Sequence, residues 1–204
     1  MSETQEDFWL FGYGEDHRGT PEAPGRVATL IDRAHWETLT DHHDAPAEKV
    51  WGAAYHIPAS HAASVRDYLD IREINGYSIQ YTPFHPAAGS DNNKTPIHCL
   101  VYIGLPENPQ FMGPQDPQRL AEHIARSSGP SGENKDYLYQ LEQALLGLSA
   151  DSSDEHITDL ARRCREVEAT TRAGAPRPDT VGTTVVGHPL HRVGSTEEQE
   201  EVEK

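Results

Sequence analysis

Strand-like apolar runs dominate the first hundred residues of this chain, and amphipathic helical patterns fill the stretch from residue 116 to residue 168. That segregation excludes the regular strand–helix alternation of a doubly wound parallel sheet and predicts an α+β fold. Phe8 to Gly14 is an apolar run ending in a glycine-punctuated turn, and Val27–Ile31, Val50–Ile57, Ile79–Phe84 and Ile97–Ile103 are further strand candidates. Ser60 is placed to cap a helix reaching about Arg72, and Asp116-Pro117 opens a helix with Leu120, Ala121 and Ile124 on one face. Glu133–Leu148 and Asp154–Glu168 carry strong helical periods, through Tyr137, Leu138, Leu141 and Leu145 in the first and Ile157, Leu160, Ala161 and Cys164 in the second. Asp32–Lys49 reads as an exposed loop, Ala87–Thr95 as a polar hairpin loop and Gly129–Gly132 as a turn.

The chain has 204 residues, with 33 acidic against 17 basic side chains and a formal charge of −16. It lacks the basic stripe that nucleic-acid binding requires. No apolar run is long enough for a transmembrane helix. Met1–Asp7 holds three acids and no base, unlike a secretory or mitochondrial leader. Cys99 and Cys164 sit in apolar-periodic stretches, as buried thiols of a reducing compartment do, so a cytoplasmic protein is expected. Beyond Ala169 the chain is rich in Gly, Pro and Thr and has no period. One domain over residues 8–168 and a disordered acidic tail over 169–204 are expected.

Among residues able to carry chemistry, Glu73 stands out. At about 100° per residue, Ala62, Val65, Leu69 and Glu73 fall within about 80° of one another on a helix. A carboxylate on that buried stripe is costly unless it is paired, protonated or set in a cleft. Burial raises its pKa and improves it as a base near neutral pH. The competing reading ends the helix near Arg72 and turns Glu73 outward. Phe11-Gly12-Tyr13-Gly14 offers backbone N–H groups in a concave turn suited to an anion, or is a plain structural turn. Gly129-Pro130-Ser131-Gly132 stands before a helix and could hold an anion, with ordinary capping by Ser131 as the alternative. His42 and His43, flanked by Asp41 and Asp44, are weak metal candidates because no rigid frame brings further ligands to them.

These residues lie within a longer series of short motifs in one order. It includes Phe11-Gly12-Tyr13-Gly14, Asp16-His17-Arg18-Gly19-Thr20-Pro21, Pro24-Gly25-Arg26-Val27-Ala28-Thr29-Leu30 and Trp51-Gly52-Ala53-Ala54-Tyr55. Tyr68-Leu69-Asp70-Ile71-Arg72-Glu73 follows with Gly76-Tyr77, then Tyr102-Ile103-Gly104, then Gly129-Pro130-Ser131-Gly132 with Asn134, Tyr137 and Leu138. From Trp9 to about Glu168 the chain resembles the ChaC-type γ-glutamylcyclotransferases. The resemblance implies a small mixed β-barrel with flanking helices and cleavage of glutathione to 5-oxoproline and cysteinylglycine. It implies Glu73 as proton acceptor and Leu10, Phe11, Gly12, Tyr13 and Gly14 as the turn holding the γ-glutamyl group. Tyr77 and Tyr137 are implied as hydroxyl donors, with no metal or cofactor.

The chain departs from the family at one place. The family's motif continues Ser-Leu-Ile-Trp and into a strand, whereas here Gly14 runs directly into Glu15-Asp16-His17-Arg18. The expected consequences are one strand fewer, an unpaired sheet edge and a carboxylate where a substrate anion should rest. A non-catalytic protein on the same scaffold is therefore the competing reading. An acidic interaction module with a metal loop at His42 and His43 is the third.

Overall fold

The computed structural model describes residues 6–12, 18–20, 22–40, 49–72, 76–87 and 95–174. Four strands make the main sheet: β1 (Phe8–Gly12), β2 (Ala53–Ile57), β3 (Tyr77–Phe84) and β4 (Ile97–Gly104), in the order β2-β1-β4-β3. β1 is antiparallel to β2 and parallel to β4, and β3 is antiparallel to β4. Alternation along the strands divides their side chains between two faces. Phe8, Leu10, Leu100 and Tyr102 form one cluster, while Trp9, Phe11, Cys99 and Val101 belong to another with Phe84 and Leu30.

Helix α2 (Ala59–Arg72) covers the first of these faces with Ala62, Val65 and Leu69, the stripe expected from the sequence. It links β2 to β3, which run in the same direction at opposite edges of the sheet. Such a connection must cross the sheet, so the helix that makes it needs a continuous apolar face. β2 finishes with Ile57 opposite Phe8, and β3 begins with Tyr77 opposite Gly104. The last turn of α2 therefore returns to the end of the sheet where β1 and β4 both finish.

The second layer is helical. Asp116 caps α3 (Pro117–Arg126) by accepting from Arg119 N at 2.9 Å, as the Asp-Pro pair predicts. α4 (Asn134–Leu148) and α5 (Glu155–Gly174) pack with α3 around Ala121, Ile124, Leu138, Leu160, Ala161 and Cys164. Lys135 reaches Glu168 at 2.8 Å and Tyr139 donates to Glu168 at 2.7 Å, tying α4 to α5 at their surface. Burial pushes the Cys164 thiol up to about 11 and raises Cys99 as well. Both cysteines are unpaired and buried, so they behave as small hydrophobes.

The α+β architecture is as expected, but the described strands form an open mixed sheet rather than a closed barrel. Four strands of five to eight residues are too few to close on themselves. Val27–Ile31 is extended yet forms no strand; among the described residues its ladder pairing is a single bridge between Ile31 and Gly104. Asp32–Lys49 contains a short helix, α1 (Arg33–Trp36). Gly129–Gly132 is the turn of a two-stranded ribbon, β5 (Ser128–Gly129) with β6 (Gly132–Glu133). Residue Glu133, not Ser131, occupies the N-cap position of α4. α5 runs through Ala169 to Gly174, because no Gly or Pro interrupts it earlier; Thr170 and Thr171 turn their hydroxyls back to the Glu166 and Val167 carbonyls.

Candidate functional site

One end of the sheet gathers most of the chemistry-bearing segments. β1 ends there at Gly12, β2 begins there at Ala53, β4 ends there at Gly104 and β3 starts there at Tyr77. β1 and β4 are parallel neighbours, and the carboxyl ends of parallel strands are a common place for ligands. Tyr13, Gly14 and Glu73 lie outside the described residues, as do His42 and His43. Their neighbours on the chain, Gly12, Arg72 and Gly76, frame this sheet end.

Close backbone approaches shape the end of β1. A Cβ on Gly52 would stand 2.5 Å from Gly12 O and 2.5 Å from the Phe11 ring. Only glycine lets the chain leading into β2 lie so near. Gly52→Ala is expected to push β1 outward at a cost of about 1–3 kcal/mol. Urea unfolding checks the stability; an unchanged midpoint would show that the contact relaxes freely. Gly76 sits at φ +99, and a Cβ there would meet the Asn108 side chain at 2.4 Å. Its carbonyl accepts from Leu105 N at 2.7 Å, which fixes the entry to β3.

The expected binding residues divide by face. Leu10 packs on the α2 side, opposite Tyr55 of β2 and Leu100 of β4. Phe11 is buried on the other side against Cys99 and Val101, with Phe84 at 6.0 Å between ring centroids, so its side chain is committed to packing. Tyr77 packs on the α2 side, and its hydroxyl is 3.3 Å from Thr29 Oγ1. Tyr137 is buried on α4, and its hydroxyl oxygen accepts from Ala28 N at 2.9 Å. That leaves the Tyr137 proton to be donated elsewhere. Tyr77 and Tyr137 thus meet the same extended segment at adjacent residues.

This segment explains both the false strand and a residue that periodicity alone does not single out. Asn134 is fully buried; its Oδ1 accepts from Arg26 N at 2.7 Å and its Nδ2 donates to Arg26 O at 2.6 Å. Residues 24–31 therefore pair as a strand would, but largely with side chains of the helical layer. His123 Nε2 donates to Pro24 O at 2.8 Å, Asn134 takes both groups of Arg26, and Tyr137 takes Ala28. At the far end Gly104 N donates to Leu30 O at 2.7 Å and joins the segment to the sheet. The Gly129–Gly132 turn serves the same join, because Arg18 donates to Ser131 O. Among the described residues no group of three or more His, Cys, Asp or Glu side chains converges as metal ligands would.

Residues 5–167 match the family model described as "ChaC-like protein". A Schizosaccharomyces pombe protein named glutathione-specific gamma-glutamylcyclotransferase is 39% identical over 168 residues, spanning 81% of this chain and 80% of the relative. A Saccharomyces cerevisiae protein of the same name is 36% identical over 174 residues, with 71% and 75% covered. The crystal structure of the yeast glutathione-specific enzyme superposes with a TM-score of 0.64 at 29% identity, over 79% of this chain and 99% of that one.

Proposed function

The chain belongs to the ChaC-like family, and from that premise we propose that it cleaves glutathione to 5-oxoproline and cysteinylglycine with Glu73 as proton acceptor. The relatives' shared name supports the substrate. The observation that supports the site is the common sheet end, where β3 starts at Tyr77, four residues past Glu73, opposite the end of β4 and at the same end of the sheet where β1 finishes.

The reaction suits such a site. The substrate's α-amine attacks its own γ-amide carbonyl; the ring C–N bond forms and the bond to the cysteine nitrogen breaks. Because attack is intramolecular, the protein's first task is to hold the γ-glutamyl chain folded. Its second is to remove a proton from the α-ammonium and return one to the leaving amine, which one carboxylate can do in sequence. We assign the holding to the stretch Leu10, Phe11, Gly12, Tyr13 and Gly14, with backbone N–H groups at the substrate's α-carboxylate. Tyr77 and Tyr137 supply hydroxyls from the clamped segment's two flanks. Leu10 and Phe11 have their side chains packed on opposite faces and their backbones paired in the sheet, so they serve by positioning the turn that follows them.

The acidic surface supports a small-molecule partner rather than nucleic acid. Two unpaired buried cysteines support a cytoplasmic setting, and no helix among the described residues is long and apolar enough to cross a membrane. The test is direct. Purified protein given glutathione should release 5-oxoproline and cysteinylglycine in equal amounts, measured by mass spectrometry. If the chain releases none, restoring Ser-Leu-Ile-Trp and the missing strand after Gly14 should rescue release, and failure of that rescue would favour the non-catalytic scaffold.

A further inference from the structure

A cavity of about 590 Å³ opens beside α3, away from the sheet end, and is lined by Arg26, Arg119, Arg126 and His123 together with Met112 and Leu120. Its volume lies in the range of small-molecule sites. Three of the chain's 17 basic residues meet here in a protein of charge −16. Arg119, His123 and Arg126 follow one another at helical spacing along a single face of α3. His123 is committed, because its Nε2 donates to Pro24 O. The guanidinium groups of Arg119 and Arg126 make no hydrogen bond or ion pair among the described residues. Arg26 is held in place by Gln115 Oε1 at 3.2 Å from its Nε and by the Pro24 and Gly25 carbonyls at its Nη1.

Two carboxylates also line the cavity, and both have other work. Asp116 caps the helix at Arg119 N, and Glu122 accepts from Gln118 Nε2 at 3.3 Å. The three arginines outnumber the two acids, and the Arg119 and Arg126 forks are the groups open to a ligand. Arg presents a planar fork matched to carboxylate and phosphate oxygens. Arg119 and Arg126 stand seven residues apart, about 10 Å along the helix axis. Two such forks at that spacing suit a ligand with an anionic group at each end, and Leu120 and Met112 add apolar lining.

We propose that this cavity is a second ligand site, for an extended small molecule with an anionic group, carboxylate or phosphate, at each end. One end rests on Arg119 and the other on Arg126, and Arg26 supplies a third, fixed cation. The site is separate from the one assigned to glutathione cleavage and does not depend on that assignment.

Calorimetric titration of the full chain with suberate, fructose 1,6-bisphosphate and inorganic phosphate tests it. At least one two-headed probe should bind ten times more tightly than inorganic phosphate at physiological salt. The double substitution Arg119→Gln with Arg126→Gln should weaken that binding at least tenfold, with an unchanged melting temperature because both side chains are exposed. Preference for suberate assigns carboxylate ends and preference for the bisphosphate assigns phosphate ends; either supports the site. No binding, binding no tighter than phosphate, or binding untouched by the double substitution would overturn it. The last result would place the probe elsewhere, as at the turn after β1.

Discussion

Glu73→Gln is expected to reduce 5-oxoproline release from glutathione by about 10²- to 10⁴-fold, the usual worth of a positioned general base. The amide keeps the size of the carboxylate and its capacity to accept a hydrogen bond, but it cannot take the proton of the α-ammonium. Attack within the substrate remains possible once the chain is folded, so a small residual rate from positioning should persist. The loss should fall on kcat, with glutathione affinity altered little, because the turn after β1 and the tyrosines are assigned the binding. Chromatographic assay of 5-oxoproline with saturating glutathione measures it, and a thermal melt controls for folding. Turnover within threefold of the unsubstituted chain would remove Glu73 from the mechanism, whatever the fold.

What was legible in the sequence was local and periodic. Ala62, Val65 and Leu69 share a stripe, and they do meet Phe8 and Leu100 across the sheet face. Asp116 followed by proline announces a cap, and Asp116 does accept from Arg119 N. What escaped was pairing between distant residues. Val27–Ile31 has the composition of a strand, yet the partners of its segment are the side chains of Asn134 and Tyr137, more than a hundred residues away. No local pattern distinguishes an extended segment that needs a neighbouring strand from one that a helix can satisfy. Gly52 looks like any glycine before a strand until the carbonyl of Gly12 is seen beside it. Sheet closure is likewise a property of strand number and order, which no single segment carries. The order of motifs identified the family, whereas the division of Leu10 and Phe11 between opposite faces required the sheet.

Asn134→Leu is expected to be among the most destabilising single substitutions in the chain. Asn134 is fully buried and satisfies both backbone groups of Arg26. Leucine fills similar space but orphans an N–H and a C=O at about 1–3 kcal/mol each; part-exposure of that segment lets water recover some, leaving a loss of roughly 2–4 kcal/mol. For a chain of this size that lowers the melting temperature by roughly 4–16 °C. Tyr137→Phe leaves one backbone group of the segment, Ala28 N, without its acceptor, and should cost less. The two residues hold neighbouring points of one extended segment, so their effects should not add. Once Asn134→Leu has freed the Arg26 backbone, loss of the Tyr137 hydroxyl should cost less than it does alone, giving a coupling of about 0.5–3 kcal/mol in a double-mutant cycle by urea unfolding. The same coupling should appear in glutathione turnover measured well below the melting range, because Thr29 in this segment meets the Tyr77 hydroxyl. Additive losses in stability would mean that residues 26–28 are held as separate points. The helical layer would then carry no shared clamp to the sheet end at which the reaction is placed.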